Sequence, residues 1–247
     1  MSTPAGGARG GISPLAVCLQ ICLTLIALFF WRTSFVQPIK LMVVLLHEMS
    51  HGLMALASGG TVYDIVVTPQ EGGACQSEGG NALLVAGAGY LGSMFFGGMI
   101  LRASRGGSSV PVTFAVLTLL VLGAAVTVLH DPYSRTFALS LAGFFVLVGL
   151  MAPWFLGAVL LRAIGTISCL YAIFDIYSDV LVASPLAGSL PNDAETFASL
   201  TGFPVQTVGV GWLLVSVLFF VAILKASLES VPAPLPSGSP ARAGASS

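Results

Sequence analysis

Charge is scarce in this sequence. Asp, Glu, Lys and Arg make up only 8% of its 247 residues. An ordinary soluble domain carries about 25%, so a water-covered globular surface is excluded. The few charges nearly cancel, to a formal net −1, which leaves no generally basic face for nucleic acid. Cysteine is sparse too. Cys18, Cys22 and Cys169 lie in apolar runs and only Cys75 in a loop, so no disulfide framework is supported. Cys18 and Cys22 have i, i+4 spacing, but no other soft ligand lies near them, and helix packing explains them better than zinc. A cleavable signal peptide is not expected. The first apolar run follows a Gly-rich start, is long enough to span a bilayer and lacks a clear cleavage site.

Apolar residues are what the chain has in plenty: 56% of it is hydrophobic, with a mean hydropathy of +0.97. It reads as an all-α polytopic membrane protein with six to seven transmembrane helices and a short β-hairpin after the second. Residues 1–13 and 229–247 read as disordered tails around one membrane-embedded domain, 14–228. The expected spans are Leu15–Trp31, Leu41–Ala57, Asn81–Leu101, Val110–Leu129, Thr136–Met151, Trp154–Val182 and Val205–Leu224. Seven crossings put the termini on opposite sides. One side then collects Arg32, Lys40, Arg102, Arg105, Lys225 and Arg242, and the other Arg9 and Arg135, which predicts a cytoplasmic C-terminus. Thr61–Thr68 is β-branched and precedes a Pro and Gly-rich turn, the hairpin signal. GAGYLG also fits a dinucleotide fingerprint, but it lies inside an apolar run rather than at a strand-to-helix turn.

Three costly residues interrupt the second span: His47, Glu48 and His51. An ionisable group at the centre of a membrane helix costs roughly 2.5–3.5 kcal/mol or more, so three together need compensation, which a divalent cation supplies. The i, i+4 spacing puts both imidazoles on one helix face. This H-E-x-x-H pattern binds zinc through two His and uses the Glu as general base. Catalytic zinc ordinarily takes a third protein ligand. Asp175 and Asp179, again i, i+4, are the carboxylates in a long apolar run, and one of them could ligate while the other supports a ligand or water. Asp193 is an alternative, but its position reads more strongly as a helix cap, in a PNDAE segment where Asn192 stands three residues before Glu195. His130, beside Asp131 and Pro132, reads as a solvated turn residue.

The segments HEMSHGLMALASGG, VVTPQEGG, AGYLGSMFFGG, FDIYSDVL and NDAETFASLTGFP resemble the site-2-protease group of intramembrane zinc metallopeptidases, in its compact peptidase M-fifty-B-like branch. The resemblance runs from about Leu41 to Pro204. It implies Zn2+ on His47 and His51, Glu48 as catalytic base and an Asp from a later span as third ligand. It also implies an extended segment whose edge receives an unwound membrane-protein substrate, and cleavage that follows a first cut by another protease (regulated intramembrane proteolysis). FDIYSD stands where better-known members carry L-D-G, which leaves Asp175 and Asp179 both open. No PDZ-like insertion is present. The expected function is intramembrane zinc metalloendopeptidase, with the Thr61–Thr68 strand holding the substrate extended. The competing reading is a non-proteolytic scaffold or transporter with a structural metal or polar site. Against it, no inverted repeat with broken helices is evident.

Overall fold

The computed structural model of the chain describes residues 12–182 and 191–229. The tails expected at 1–13 and 229–247 lie outside these, apart from residues 12, 13 and 229. Helix α1 is Pro14–Phe29 and α2 is Gln37–Ala57. Pro38 falls in the first turn of α2, where its missing N–H has no partner to lose, so the helix begins ahead of the apolar run at Leu41. It stops at Gly59, which takes φ +89°. The hairpin follows as expected, β1 (Thr61–Val67) antiparallel to β2 (Gly73–Glu78), paired from Thr61↔Glu78 to Val67↔Gly73 with a bulge between Val62 and Asp64. Then come α3 (Ala82–Ala103), α4 (Ser109–Thr127), α5 (Pro132–Met151) and α6 (Trp154–Ile176), which runs on through a wider π-helical turn, Tyr177–Val182. A short α7 (Asp193–Thr201) and the long α8 (Val205–Leu228) complete the described chain.

Among the described residues six helices, α2 to α6 and α8, are long and apolar enough to cross a bilayer, and the protein is a multi-pass integral membrane protein. Their exposure ranks them. The apolar window of α2 is 72% buried, against 22% for α5 and for α8, so α2 is the centre of the bundle and the other two face lipid. Leu41 to Leu46 belong to one buried cluster with Phe114, Leu117, Phe145, Leu161 and Ile164. α3 and α6 meet through glycines: a Cβ on Gly165 would overlap the Leu101 backbone, the close approach that drives helix association where the hydrophobic effect is absent. Within this apolar interior, Arg162 donates to Gln20 Oε1 (3.1 Å) and to the Ser227 carbonyl (2.9 Å), stitching α6 to α1 and α8.

Six long helices among the described residues fall within the expected six to seven, and contacts at the chain ends decide how α1 counts. Ile12 pairs with Glu229, Ser13 N donates to the Leu228 carbonyl at 3.1 Å, and Arg105 donates to the Glu229 carbonyl at 2.8 Å. The start of α1 and the ends of α3 and α8 therefore share one face, which an odd number of crossings forbids. α1 is the short member: 16 residues reach about 24 Å, less than the roughly 30 Å hydrocarbon core. Trp31, just beyond it, packs on Tyr171 and Phe174, and Val36 packs with Ala27 and Ile167. The α1–α2 link is thus pinned to α6 by Trp31 and Val36, with residues 32–35 exposed between them, and α1 and α2 together make one crossing.

Candidate metal centre

Two rings, one helical turn apart on α2, begin the site. The His47 and His51 centroids are 4.9 Å apart. α3 runs antiparallel beside them and orients both. His51 Nδ1 lies 2.8 Å from the Val85 carbonyl oxygen, which can only accept. Nδ1 therefore carries the proton and Nε2 presents a lone pair. His47 Nδ1 lies 3.3 Å from Ser93 Oγ, whose own hydrogen goes to the Gly89 carbonyl at 2.8 Å. His47 Nδ1 is thus the donor, and its Nε2 is likewise left as an acceptor.

Into these two lone pairs points a third acceptor. Asp193 Oδ2 stands 3.0 Å from His47 Nε2 and 3.1 Å from His51 Nε2, buried and with no hydrogen-bond partner among the described residues. The three donor atoms lie within 4.8 Å of one another. Three lone pairs facing one another repel unless a proton or a metal cation lies between them, and two imidazole nitrogens with one carboxylate oxygen form a zinc-type donor set. The room is kept by Gly89, where a Cβ would overlap both Nε2 atoms and Asp193 Oδ2. These residues fit a divalent cation.

Asp193, rather than Asp175 or Asp179, closes this triad. A capping box explains how. Asn192 Oδ1 accepts from Glu195 N and Glu195 Oε2 accepts from Asn192 N, both at 2.9 Å. Asn192 does the capping, which leaves Asp193, one residue on, free to reach back to α2. Asp175 and Asp179 line the same cavity, of about 620 Å³, but neither belongs to the donor cluster. Asp179 Oδ2 accepts from the Tyr90 hydroxyl at 3.1 Å, and the Tyr90 ring meets the His47 ring edge-on at 5.0 Å. Asp179 therefore holds Tyr90 against the His47 ring. One sequence signal could have pointed to Asp193: in N-D-A-E the cap is already made by Asn192 and Glu195, so Asp193 has no structural task. Cys18 and Cys22 are free and exposed, away from the cluster. His130 is an exposed turn residue, 3.2 Å from Asp64 Oδ1.

Glu48 opens onto the same cavity, and β2 passes directly over it. A Cβ at Gly73 would overlap the Glu48 carboxylate. The Cys75 thiol faces α2 beneath the hairpin, and burial, reinforced by the charge of Glu48, pushes its pKa up to about 12. The strand with an open edge is β2, not β1 as expected. Ile65 N of β1 donates to the Val128 carbonyl at 2.8 Å and Val67 N to Ser134 Oγ at 2.9 Å. No group outside the hairpin bonds the backbone of β2 among the described residues.

Fold and site together define a membrane-embedded protein with an enclosed metal-type centre. The chain belongs to the Peptidase M50B-like family of membrane metallopeptidases, whose model matches residues 20–223. Searches of curated proteins and of solved structures return no match.

Proposed function

We propose that this chain is a zinc-dependent intramembrane endopeptidase that hydrolyses peptide bonds of locally unwound membrane-spanning substrates. The observation that carries the reading is the convergence of His47 Nε2, His51 Nε2 and Asp193 Oδ2 with Glu48 in one cavity. Zinc held there supplies Lewis acidity for a peptide carbonyl and draws the pKa of a water toward about 7. Glu48, one residue along the helix from His47, would serve as the base that accepts the proton of an attacking water and as the acid that returns it to the leaving amine nitrogen. Ser93 and the Val85 carbonyl hold the two rings in the tautomer that ligation needs. A membrane helix hides its carbonyls in backbone hydrogen bonds, so a substrate must be extended before it is cut. The open edge of β2 pairs with such a strand and lays it across Glu48. Segments freed by an earlier cut outside the membrane unwind more readily and are the expected substrates.

Purified protein should carry about one zinc per chain, absent in His47→Ala. Glu48→Gln should keep the zinc and slow cleavage of labelled casein in detergent by at least about 100-fold. Folded wild-type protein without stoichiometric zinc, or a Glu48→Gln variant that cleaves at the wild-type rate, would overturn the reading.

A further inference from the structure

The tip of the hairpin is held by groups that the proposed reaction does not use. Glu71 sits in the turn at φ +66°, a left-handed conformation that glycine takes freely and other residues keep only when surrounding contacts hold them there. Gly72 and Gly73 follow immediately, yet an acidic side chain occupies the position that glycine would fill without strain. Its contacts explain why. Glu71 Oε1 lies 3.2 Å from Lys40 Nζ, and that ammonium stands 4.9 Å over the Trp31 ring. Lys40 is only 8% exposed, and Glu71 is the carboxylate it meets among the described residues. Beside them Gln37 Nε2 donates to the Pro69 carbonyl at 2.9 Å. Both anchors rise from the first turns of α2. Two residues beyond Glu71, Gly73 rests on the Glu48 carboxylate. Any movement of the tip therefore moves β2 relative to Glu48. An enclosed ammonium strongly disfavours losing its one carboxylate, so the pair holds the tip down.

We infer that the Lys40–Glu71 ion pair is a latch that seats the hairpin tip on α2 and sets the open edge of β2 against Glu48. Lys40 and Glu71 are then positioning residues for an extended substrate strand. The consequence for cleavage rests on the peptidase reading; the latch itself does not.

The test uses the full chain with Cys18→Ser and Cys22→Ser, which leaves Cys75 as the responsive thiol beside the fully buried Cys169. The probe is N-ethylmaleimide. Glu71→Gly removes the carboxylate and relieves the backbone at once, which offsets part of the cost of leaving the Lys40 ammonium unpaired. Cys75 alkylation should accelerate by about tenfold or more as the hairpin lifts. Glu71→Gln, which keeps the side-chain shape, should move labelling in the same direction. The exchange Lys40→Glu with Glu71→Lys should restore slow labelling. With casein as substrate, KM should rise more than kcat falls in the single variants and recover in the exchange. Wild-type protection of Cys75 in both single variants, or an exchange that stays fast, overturns the latch. Accelerated Cys75 labelling in a chain that never cleaves casein would sink the peptidase reading and leave the latch standing.

Discussion

At the scale of single residues, the site is decided by where protons sit. Val85 and Ser93 each occupy the Nδ1 side of an imidazole, so both Nε2 atoms face inward without hydrogens. Asp193 then completes the set as the third acceptor. Asp193→Asn keeps the shape but removes the charge, and should lose its zinc on dialysis while Asp175→Asn and Asp179→Asn retain it, as metal analysis of the three proteins will show. Zinc retained by Asp193→Asn and lost from Asp175→Asn would return the third ligand to α6. His47, Glu48 and His51 were legible in the sequence because they share one helix, and helical spacing alone places them. Asp193 was not, because its distance from His51 depends on how α7 folds back over the cavity. An i, i+4 pair of aspartates in an apolar run was the louder signal, and it belongs to the cavity wall.

Among the elements, α7 is small but carries Asp193, the carboxylate that meets the two histidines. Its nine residues are too few to be stable alone, so the capping box and the bond from Asn192 Nδ2 to the Asp179 carbonyl at 3.2 Å hold it in place. Asn192→Ala removes a cap worth about 1 kcal/mol. Part of that loss should appear at the metal, as weaker zinc binding in a competition titration, while Asn192→Ser, which still caps, should bind as wild type does. Equal zinc affinity in all three proteins would show that α7 is held by other contacts. The hairpin was legible too, since β-branched residues and a glycine-rich turn mark it. Which of its strands has an open edge was not, because Val128 and Ser134 cover β1 from the far side of the α4–α5 turn.

For the whole molecule, the decisive contact joins the two ends of the described chain. Ile12 and Glu229 pair, so both should lie on the same side of the membrane. Ile12→Cys and Glu229→Cys, made separately in the chain with Cys18→Ser and Cys22→Ser, should react with an impermeant maleimide from the same face of sealed vesicles. Reaction from opposite faces would restore seven crossings. The arginines agree with a shared face, since Arg102, Arg105 and Arg162 cluster toward the ends of α3 and α8. Hydropathy left six or seven crossings open because an apolar run of α1's length can cross alone or share a crossing with the next helix. Its partners, not its composition, choose between them.

Composition and helical period by themselves determined that the chain lives in a membrane, where its helices run, and that two imidazoles and a glutamate share one helix. These follow from local physics: apolar length against bilayer thickness, and spacing along one element. Only the tertiary structure decided that Asp193 is the carboxylate that meets the histidines, that β2 is the open edge, and that α1 and α2 share one crossing. Each of these depends on a distance between segments far apart in the chain, and such distances are set by packing, to which no single stretch of sequence has access.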